Sequence, residues 1–318
     1  MNMERTTDRP IASPELLAAA LEGLDAGGQK SMSPKWLYDA EGSALFERIT
    51  GLPEYYPTRT EVSILRGQAQ TLAAHVPDGA ALVELGSGAS VKSRLLLDAL
   101  PHLGAYVPVD ISEAFLMEAG ARIASDYDDL EVVPVAGDFT ASLAFPPRIE
   151  GMEKVAFFPG STLGNLGDRE VTLLLQRVRA WPGARGFILG VDLVKDPRVL
   201  VAAYDDAEGV TAAFNRNLLV RLNREAGAAF DLDRFVHRAI WNAEHSRIEM
   251  HLESLASQTV PLAHTEIAFA EGETIHTESS RKFTPERLDR LAETTGWRIE
   301  TRLQDRDGYF AVIAMVPA

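Results

Sequence analysis

The sequence predicts an α/β protein in which a doubly wound, mostly parallel sheet is joined to a second, smaller α+β domain. Over residues 81–192, apolar runs of strand length alternate with helix-forming segments, which is typical of a parallel sheet covered on both faces. A Gly-Ser-Gly turn at 86–88 follows the first of these runs. After Val194 the alternation ends, and a long helical stretch followed by extended runs of alternating polarity predicts a separate subdomain.

Composition and charge narrow the class of protein. Of 318 residues, 46% are hydrophobic and 24% are charged, which is enough apolar material for one large domain or two. The 31 basic and 46 acidic residues give a net charge of -15, which argues against nucleic acid and favours a small-molecule partner. Because the chain has no cysteine, disulfides and thiolate metal sites are excluded.

Missing patterns exclude further classes. The start of the chain lacks a signal-peptide pattern and no apolar run reaches membrane-spanning length, so we expect a cytoplasmic protein that binds no membrane. A monomer is expected as well. The seven histidines have no ligand spacing such as H-E-x-x-H, so no metal site is predicted. The sequence also lacks the G-x-S-x-G motif of a hydrolase nucleophile.

The elements before the sheet are a helix and an aromatic segment. Ser13-Pro14-Glu15 has the cap, proline and acid of a helix start, and Gly27-Gly28 ends that helix. The following segment contains Tyr38, Tyr55 and Tyr56. These tyrosines either pack their rings with the hydroxyls exposed to solvent or form a lid over a ligand site. A helix over residues 60–72 then leads to the first strand.

The first strand, 81–85, its glycine turn and a helix over 91–100 form the best candidate for a ligand site. This order presents a helix N-terminus and free amides at the carboxyl edge of a sheet. A dinucleotide fingerprint needs a third glycine or alanine where this chain has Val91, which disfavours a nicotinamide enzyme. Glu84 instead resembles the acid of the acidic-x-Gly-x-Gly pattern of S-adenosylmethionine-dependent methyltransferases. A lone G-x-G is equally often an ordinary turn.

Acids follow the next two strands. Asp110 ends the second strand, where a carboxylate either takes the two ribose hydroxyls of a nucleotide or caps the next helix with Ser112. After the third strand, Asp138 and Phe139 offer a carboxylate for an exocyclic amine and a ring for stacking, or simply form a turn. Three such features at three successive strand ends favour an adenosine-containing cofactor.

Further candidates lie in the loop after the fourth strand and in the helix after the glycine turn. Asn165, in the loop that begins with Pro159-Gly160, either bonds a substrate amine or carboxylate or satisfies the turn. Lys92 either pairs with the carboxylate of the cofactor or is solvated.

The predicted subdomain consists of one helical stretch over 197–226 followed by antiparallel strands. With a period of two, Thr274, His276, Glu278 and Ser280 share one strand face, and Met250 points inward from another strand. The alternative roles are a solvated face for the polar residues and core packing for Met250. A helix over 284–295 and a final antiparallel hairpin then complete the main sheet.

Several long sequence segments closely resemble those of one protein family. These are S-P-K-W-L-Y-D-A-E-G-S, L-P-E-Y-Y-P-T-R-T-E, V-E-L-G-S-G, G-S-T-L-G-N, D-L-V-K-D, A-Y-D-D-A-E-G-V-T-A-A-F-N-R-N and R-I-E-M-H-L. They are similar to the L-histidine Nα-methyltransferases of ergothioneine biosynthesis over nearly the whole chain past residue 13. The resemblance implies a class I methyltransferase, Rossmann-like fold and transfer of three methyl groups from S-adenosylmethionine to the α-nitrogen of histidine, giving hercynine and S-adenosylhomocysteine.

The resemblance also implies roles for individual residues. The implied cofactor contacts are Gly86, Lys92, Asp110, Asp138 and Phe139. The residues implied to hold the amino acid end of histidine or its mono- and dimethylated forms are Tyr38, Tyr56, Gly160, Asn165 and Tyr204. Glu278 and Ser280 match the pair that holds the imidazole, with Met250 lining that pocket, whereas Arg281 replaces a cysteine of family members and is expected to alter the pocket. Tyr38 and Asn165 are the candidates for holding the reacting nitrogen.

The expected division is a cofactor-binding domain of 60–195 and 284–318 and a substrate-binding domain of 13–59 and 196–283. The rival functions are α-N-methylation of another amino acid such as tryptophan, which the Glu278 and Ser280 pair disfavours, and a non-catalytic relative that only binds the cofactor.

Overall fold

The computed structural model describes residues 11–25, 27–87 and 91–318. The chain folds into two compact units. The first combines the N-terminal part up to Tyr56 with Lys195–Arg281, and the second combines Pro57–Val194 with Lys282–Ala318.

The described helices and strands are numbered in chain order. The α-helices are α1 (Pro14–Leu24), α2 (Ala40–Thr50), α3 (Tyr56–Ala73), α4 (Val91–Leu97), α5 (Glu113–Asp126), α6 (Pro147–Glu150), α7 (Asp168–Arg179), α8 (Pro197–Ala202), α9 (Val210–Glu225) and α10 (Pro285–Thr294). Short 3-10 helices cover Pro34–Leu37, Thr162–Asn165 and Leu232–Arg234. The strands are β1 (Lys30–Ser31), β2 (Ala81–Leu85), β3 (Ala105–Asp110), β4 (Glu131–Val132), β5 (Val135–Ala136), β6 (Lys154–Phe158), β7 (Ala184–Asp192), β8 (Phe235–Asn242), β9 (Arg247–Ser254), β10 (Gln258–Leu262), β11 (Thr265–Phe269), β12 (Thr274–Arg281), β13 (Trp297–Gln304) and β14 (Phe310–Pro317).

The second unit is built around the predicted doubly wound sheet. Its strand order is β13-β14-β7-β6-β2-β3-β4, with β5 also paired to β3. The strands from β7 to β4 run parallel, and β14 enters antiparallel between β7 and β13. The order reverses between β2 and β6, so the carboxyl ends of these strands form the crevice in which such sheets bind ligands. The Rossmann-like fold and the final hairpin predicted from the sequence are confirmed.

Apolar cores cover both faces of this sheet, as expected for strands that read as continuous apolar runs. One core packs α3, α4 and α5 against residues such as Leu82 and Phe157. The other packs α7 and α10 against residues such as Val83 and Phe187. The alternating side chains of each strand therefore point into two different cores.

The structure differs from the sequence prediction in two segments. The predicted third strand is split into β4 and β5 at Pro134, because proline has no amide hydrogen to donate to a ladder. The single helical stretch predicted over 197–226 is two helices, α8 and α9, because Gly209 has a φ of +72° and the Asp206 carboxylate caps the new helix through the amides of Val210 and Thr211.

The first unit contains a smaller sheet with the strand order β1-β12-β9-β8. Here β8, β9 and β12 are antiparallel, and β1 is parallel to β12. A separate antiparallel pair is formed by β10 and β11. None of the described helices is both long and apolar enough to cross a membrane.

Candidate active site

In the second unit, the glycine turn after β2 brings bare backbone beside an aromatic ring. Gly86 has a φ of +71°, which favours glycine over other residues. A Cβ placed on Gly86 would lie 3.6 Å from Cε1 of Phe139. Two of the predicted cofactor contacts are therefore neighbours. Gly88 of the predicted turn lies outside the described residues.

Glu84 braces the turn from inside the protein. Its side chain is almost fully buried and accepts hydrogen bonds from Ser93 Oγ at 2.5 Å and from the Tyr106 hydroxyl. Burial raises the pKa of this carboxyl. The acid of the acidic-x-Gly-x-Gly pattern thus joins β2, β3 and α4 under the turn.

The two acids predicted at the strand ends both hold the turns that follow them. Asp110 Oδ1 accepts from the Ser112 amide at 2.9 Å, and Asp138 Oδ1 accepts from the amide and hydroxyl of Thr140 at 2.7 and 2.6 Å. Burial raises the pKa of Asp110. Asp110 therefore closes the turn before α5 rather than capping the helix itself. This turn fixes its carboxylate at the end of β3, where β5 pairs through Ala136.

Lys92 and Gly160 meet through Glu61, a residue that the sequence reasoning did not single out. Glu61 is completely buried in α3, accepts from the Gly160 amide with both oxygens at 3.0 and 2.9 Å, and lies 2.6 Å from Lys92 Nζ. Gly190 leaves room for it, since a Cβ there would lie 1.9 Å from Glu61 Oε1. The Gly160 amide is thus already engaged. The only sequence signal for Glu61 was its place at the end of L-P-E-Y-Y-P-T-R-T-E.

Asn165 ends the 3-10 helix that follows β6, and its side chain is half-buried. Ser161, which precedes this 3-10 helix, fixes the loop to β7. It adopts a left-handed conformation (φ 58°) and accepts a hydrogen bond from the Asp192 amide at 2.9 Å. A strained residue held by a buried hydrogen bond gives Asn165 a defined position at the carboxyl edge of the sheet.

In the first unit, a β-bulge sets which residues of β12 share a face. His276 lies opposite His251 of β9, but Glu278 lies opposite Met250, so Thr277 is the extra residue. Glu278 and Ser280 share one face, as predicted, and Met250 of β9 lies on the same face. Thr274 and His276 lie on the other face, so the prediction that all four polar residues share one face is wrong.

The face that carries Glu278 and Ser280 is buried, with both side chains less than a tenth exposed. The Tyr204 hydroxyl donates to Ser280 Oγ at 2.7 Å and is itself buried. Arg281 lies opposite Arg247 and so leaves the strand on the other face. The replacement of cysteine by arginine therefore falls away from the Glu278 and Ser280 pair.

Tyr38 and Tyr56 are held differently. The Tyr38 ring packs edge-on against Phe46 and Phe214, with 39% of the residue exposed. Desolvation by the surrounding protein and then the Glu278 carboxylate raise the pKa of Tyr38 well above its ordinary value, so its hydroxyl stays protonated near neutral pH. Tyr56 is almost fully buried, and its hydroxyl accepts from Lys195 Nζ at 2.7 Å.

Among the described residues, no group of three or more histidine, aspartate or glutamate side chains is arranged to hold a metal ion. The arrangement of the second unit suits an adenosine-containing ligand: a glycine turn beside a ring, followed by carboxylates at two strand ends. The arrangement of the first unit suits a small polar ring, because a buried carboxylate and a buried hydroxyl stand side by side.

Comparison with known proteins identifies the family. A model described as histidine-specific methyltransferase, SAM-dependent, matches residues 16–317. The chain is 48% identical over 274 residues to histidine N-alpha-methyltransferase of Mycolicibacterium smegmatis and 46% identical over 264 residues to that of Mycobacterium tuberculosis, covering 84% and 81% of both partners. It is 30% identical to ergothioneine biosynthesis protein 1 of Neurospora crassa, over 85% of this chain and 31% of that protein. The chain belongs to the SAM-dependent, histidine-specific methyltransferases.

Proposed function

We propose that this protein transfers three methyl groups, one at a time, from S-adenosylmethionine to the α-amino nitrogen of L-histidine, giving hercynine and S-adenosylhomocysteine in ergothioneine biosynthesis. The observation that carries the proposal is the buried Glu278 and Ser280 pair on one face of β12, together with the family membership. This pair distinguishes histidine from the other amino acids.

The imidazole is recognised by one acceptor and one donor. A neutral imidazole has one N–H and one lone pair, so Glu278 accepts from one nitrogen and Ser280 donates to the other. Ser280 Oγ accepts from the Tyr204 hydroxyl, and this hydrogen bond holds Ser280 on the buried face beside Glu278. An apolar side chain offers no hydrogen bond to either of these buried groups, which disfavours substrates such as phenylalanine strongly.

The amino acid end of the substrate is assigned to Tyr38, Tyr56, Gly160, Asn165 and Tyr204. A protonated Tyr38 is not a base, so its role is to orient the amine through its hydroxyl oxygen. Asn165 orients the amine or the carboxylate through its side-chain amide. The proton that the amine must lose is taken by water.

S-adenosylmethionine supplies a methyl group on a sulfonium, and the described residues fit this cofactor. Gly86 gives it close access to the backbone beside Phe139, Asp110 takes the ribose hydroxyls, and Asp138 takes the exocyclic amine of adenine. Lys92 pairs with its carboxylate. Since the displacement is in line and needs little acid-base chemistry, the contribution of the protein is chiefly orientation.

The test is incubation of the purified protein with labelled S-adenosylmethionine and a panel of amino acids, read by mass spectrometry. We expect label in mono-, di- and trimethylated histidine and none in tryptophan. Tryptophan methylation at the rate of histidine would favour the rival substrate, and no methylation of any amino acid would favour a binding-only relative. Size-exclusion chromatography tests the accompanying proposal that the protein acts as a monomer.

A further inference from the structure

Tyr204 lies in a turn between α8 and α9, where no strand ladder fixes it. Its backbone carbonyl accepts from His237 Nε2 at 2.8 Å, and its hydroxyl donates to Ser280 Oγ. His237 therefore hydrogen-bonds to the backbone of Tyr204, whose side chain orients Ser280. His237 is buried on β8 and belongs to no motif that the sequence reasoning used.

The protons of this network have one consistent arrangement. A carbonyl only accepts, so Nε2 of His237 carries the hydrogen and Nδ1 is an acceptor. Asn215 Nδ2 lies 2.9 Å from that Nδ1 and donates to it, and it also donates to the His251 carbonyl at 3.0 Å. Both amide hydrogens of Asn215 are thereby used.

The residue type at position 215 follows from the same geometry. Asn215 is completely buried, and its Oδ1 has no hydrogen-bond partner among the described residues. Turning the amide over would place this oxygen against two acceptors, His237 Nδ1 and the His251 carbonyl. The side chain thus gives up one hydrogen bond to satisfy both acceptors, which is the expected feature of a group kept for positioning.

We propose that Asn215 and His237 are positioning residues for the imidazole subsite: Asn215 fixes the tautomer and orientation of His237, His237 fixes Tyr204, and Tyr204 directs the Ser280 hydroxyl. The proposal rests on the assignment of Ser280 to histidine binding under the proposed function. It adds two residues that touch neither substrate nor cofactor.

Two substitutions at one position separate positioning from packing. In His237→Gln the side-chain nitrogen takes the place of Nε2 and keeps the hydrogen bond to Tyr204. In His237→Asn the side-chain oxygen takes the place of Nδ1, keeps the bond to Asn215 and loses the bond to Tyr204. We expect KM for histidine to rise about tenfold in H237N, as for one lost hydrogen bond, with the Kd for S-adenosylmethionine unchanged, and to stay near the wild-type value in H237Q.

Asn223→Leu is the matched control. Asn223 lies on α9, the helix that also carries Asn215. It forms two hydrogen bonds with the backbone of Phe230, at 2.8 and 2.7 Å, and these bonds do not involve Tyr204. We expect this variant to lose thermal stability and to keep its KM. If H237N does not fold, Asn215→Leu tests the same network, because leucine has the same branching at Cγ but cannot donate to His237 Nδ1 or to the His251 carbonyl, and we expect its KM for histidine to rise as in H237N.

Hydrogen-deuterium exchange of the segment around Tyr204 provides a readout that is independent of turnover. We expect faster exchange in H237N than in H237Q. Unchanged KM and exchange in H237N, equal impairment of H237Q, or an equal rise of KM in N223L would overturn the proposal. Failure of the wild-type protein to methylate histidine would instead refute the proposed function, and the exchange comparison would still decide whether the network holds Tyr204.

Discussion

Glu278 lies opposite Met250 in the antiparallel ladder of β9 and β12, one residue out of step with the His276 and His251 pair. The extra residue, Thr277, donates from Oγ1 to the Met250 carbonyl at 3.0 Å, and His276 Nε2 lies 3.0 Å from the Glu278 carbonyl. The side chains of His276 and Thr277 therefore both hold the irregularity. The bulge aims Glu278 and Ser280 at the buried face.

Thr277→Val keeps the shape of this residue and removes the hydrogen bond to Met250. Because the valine leaves a buried carbonyl without its donor and loosens the bulge, we expect KM for histidine to rise roughly five- to tenfold. Steady-state kinetics with histidine varied at saturating cofactor measure the change. Thr277→Ser retains the hydroxyl and serves as the control, so equal kinetics of the two variants would argue against the role of the bulge.

Glu278→Ala should abolish recognition of the imidazole N–H. A charge-assisted hydrogen bond contributes about 1.5–3 kcal/mol, so we expect kcat/KM for histidine to fall at least about tenfold to a hundredfold. We also expect the enlarged, uncharged pocket to gain turnover of tryptophan or phenylalanine. Glu266→Ala, at an exposed position of β11, is the control. Wild-type turnover of phenylalanine equal to that of histidine would contradict the assignment.

Much of the fold could be predicted because its signals are local. Continuous apolar runs alternating with helical periods determine a parallel sheet covered on both faces, and Gly86 marks the turn at its carboxyl edge. The split of the third predicted strand at Pro134 could also have been predicted, because proline interrupts a strand ladder. The break before α9 was harder to predict, since it depends on Asp206 capping a helix that begins four residues later.

The candidate site was predictable only in part, because some of its geometry is not periodic. A period of two placed His276 on the same face as Glu278, whereas the bulge at Thr277 reverses that relation. Glu61 lies on a helix before the first strand of the main sheet, about a hundred residues from Gly160, and only the fold brings its carboxylate to the Gly160 amide. Such long-range polar contacts have no signature in a single sequence.

Lys92→Met should affect both cofactor affinity and stability. It leaves the buried Glu61 carboxylate without its cation, and loss of one partner of a buried pair costs about 3 kcal/mol of unfolding free energy. Removal of the cation should also raise the Kd for S-adenosylmethionine. Chemical denaturation and calorimetric titration measure the two effects.

The double variant Glu61→Gln with Lys92→Met separates these effects. A neutral glutamine still accepts from the Gly160 amide and needs no cation, so we expect most of the stability to return while cofactor affinity stays low. Lys35→Met, at an exposed position, is the single-site control. Full recovery of cofactor affinity in the double variant would mean that Lys92 serves only to neutralise Glu61.

His237 should make stability dependent on pH on the acid side of neutrality. Burial lowers the pKa of this histidine, with a small contribution from Arg238. The hydrogen bond to the Tyr204 carbonyl, followed by Asp205 and Asp206, offsets part of the shift. The unfolded chain therefore takes up a proton near pH 6.5, whereas the folded protein does not. As a result, the unfolding free energy falls as the pH drops from about 6.5 toward the pKa of His237 in the folded protein. The total loss is about 1.4 kcal/mol for each unit by which folding lowers this pKa.

Comparison with H237Q isolates this contribution, because every other titrating group is common to both proteins. We expect the wild-type unfolding free energy, measured by denaturation at closely spaced pH values below 7, to fall more steeply than that of H237Q. Protonation also puts a hydrogen on Nδ1, facing the donor of Asn215, so KM of the wild-type protein for histidine should rise over the same range and that of H237Q should rise less. Parallel plots of unfolding free energy against pH for the two proteins would show that His237 takes up its proton equally in the folded and unfolded states. That result would contradict the buried, neutral tautomer on which the hydrogen bond from His237 to Tyr204 depends.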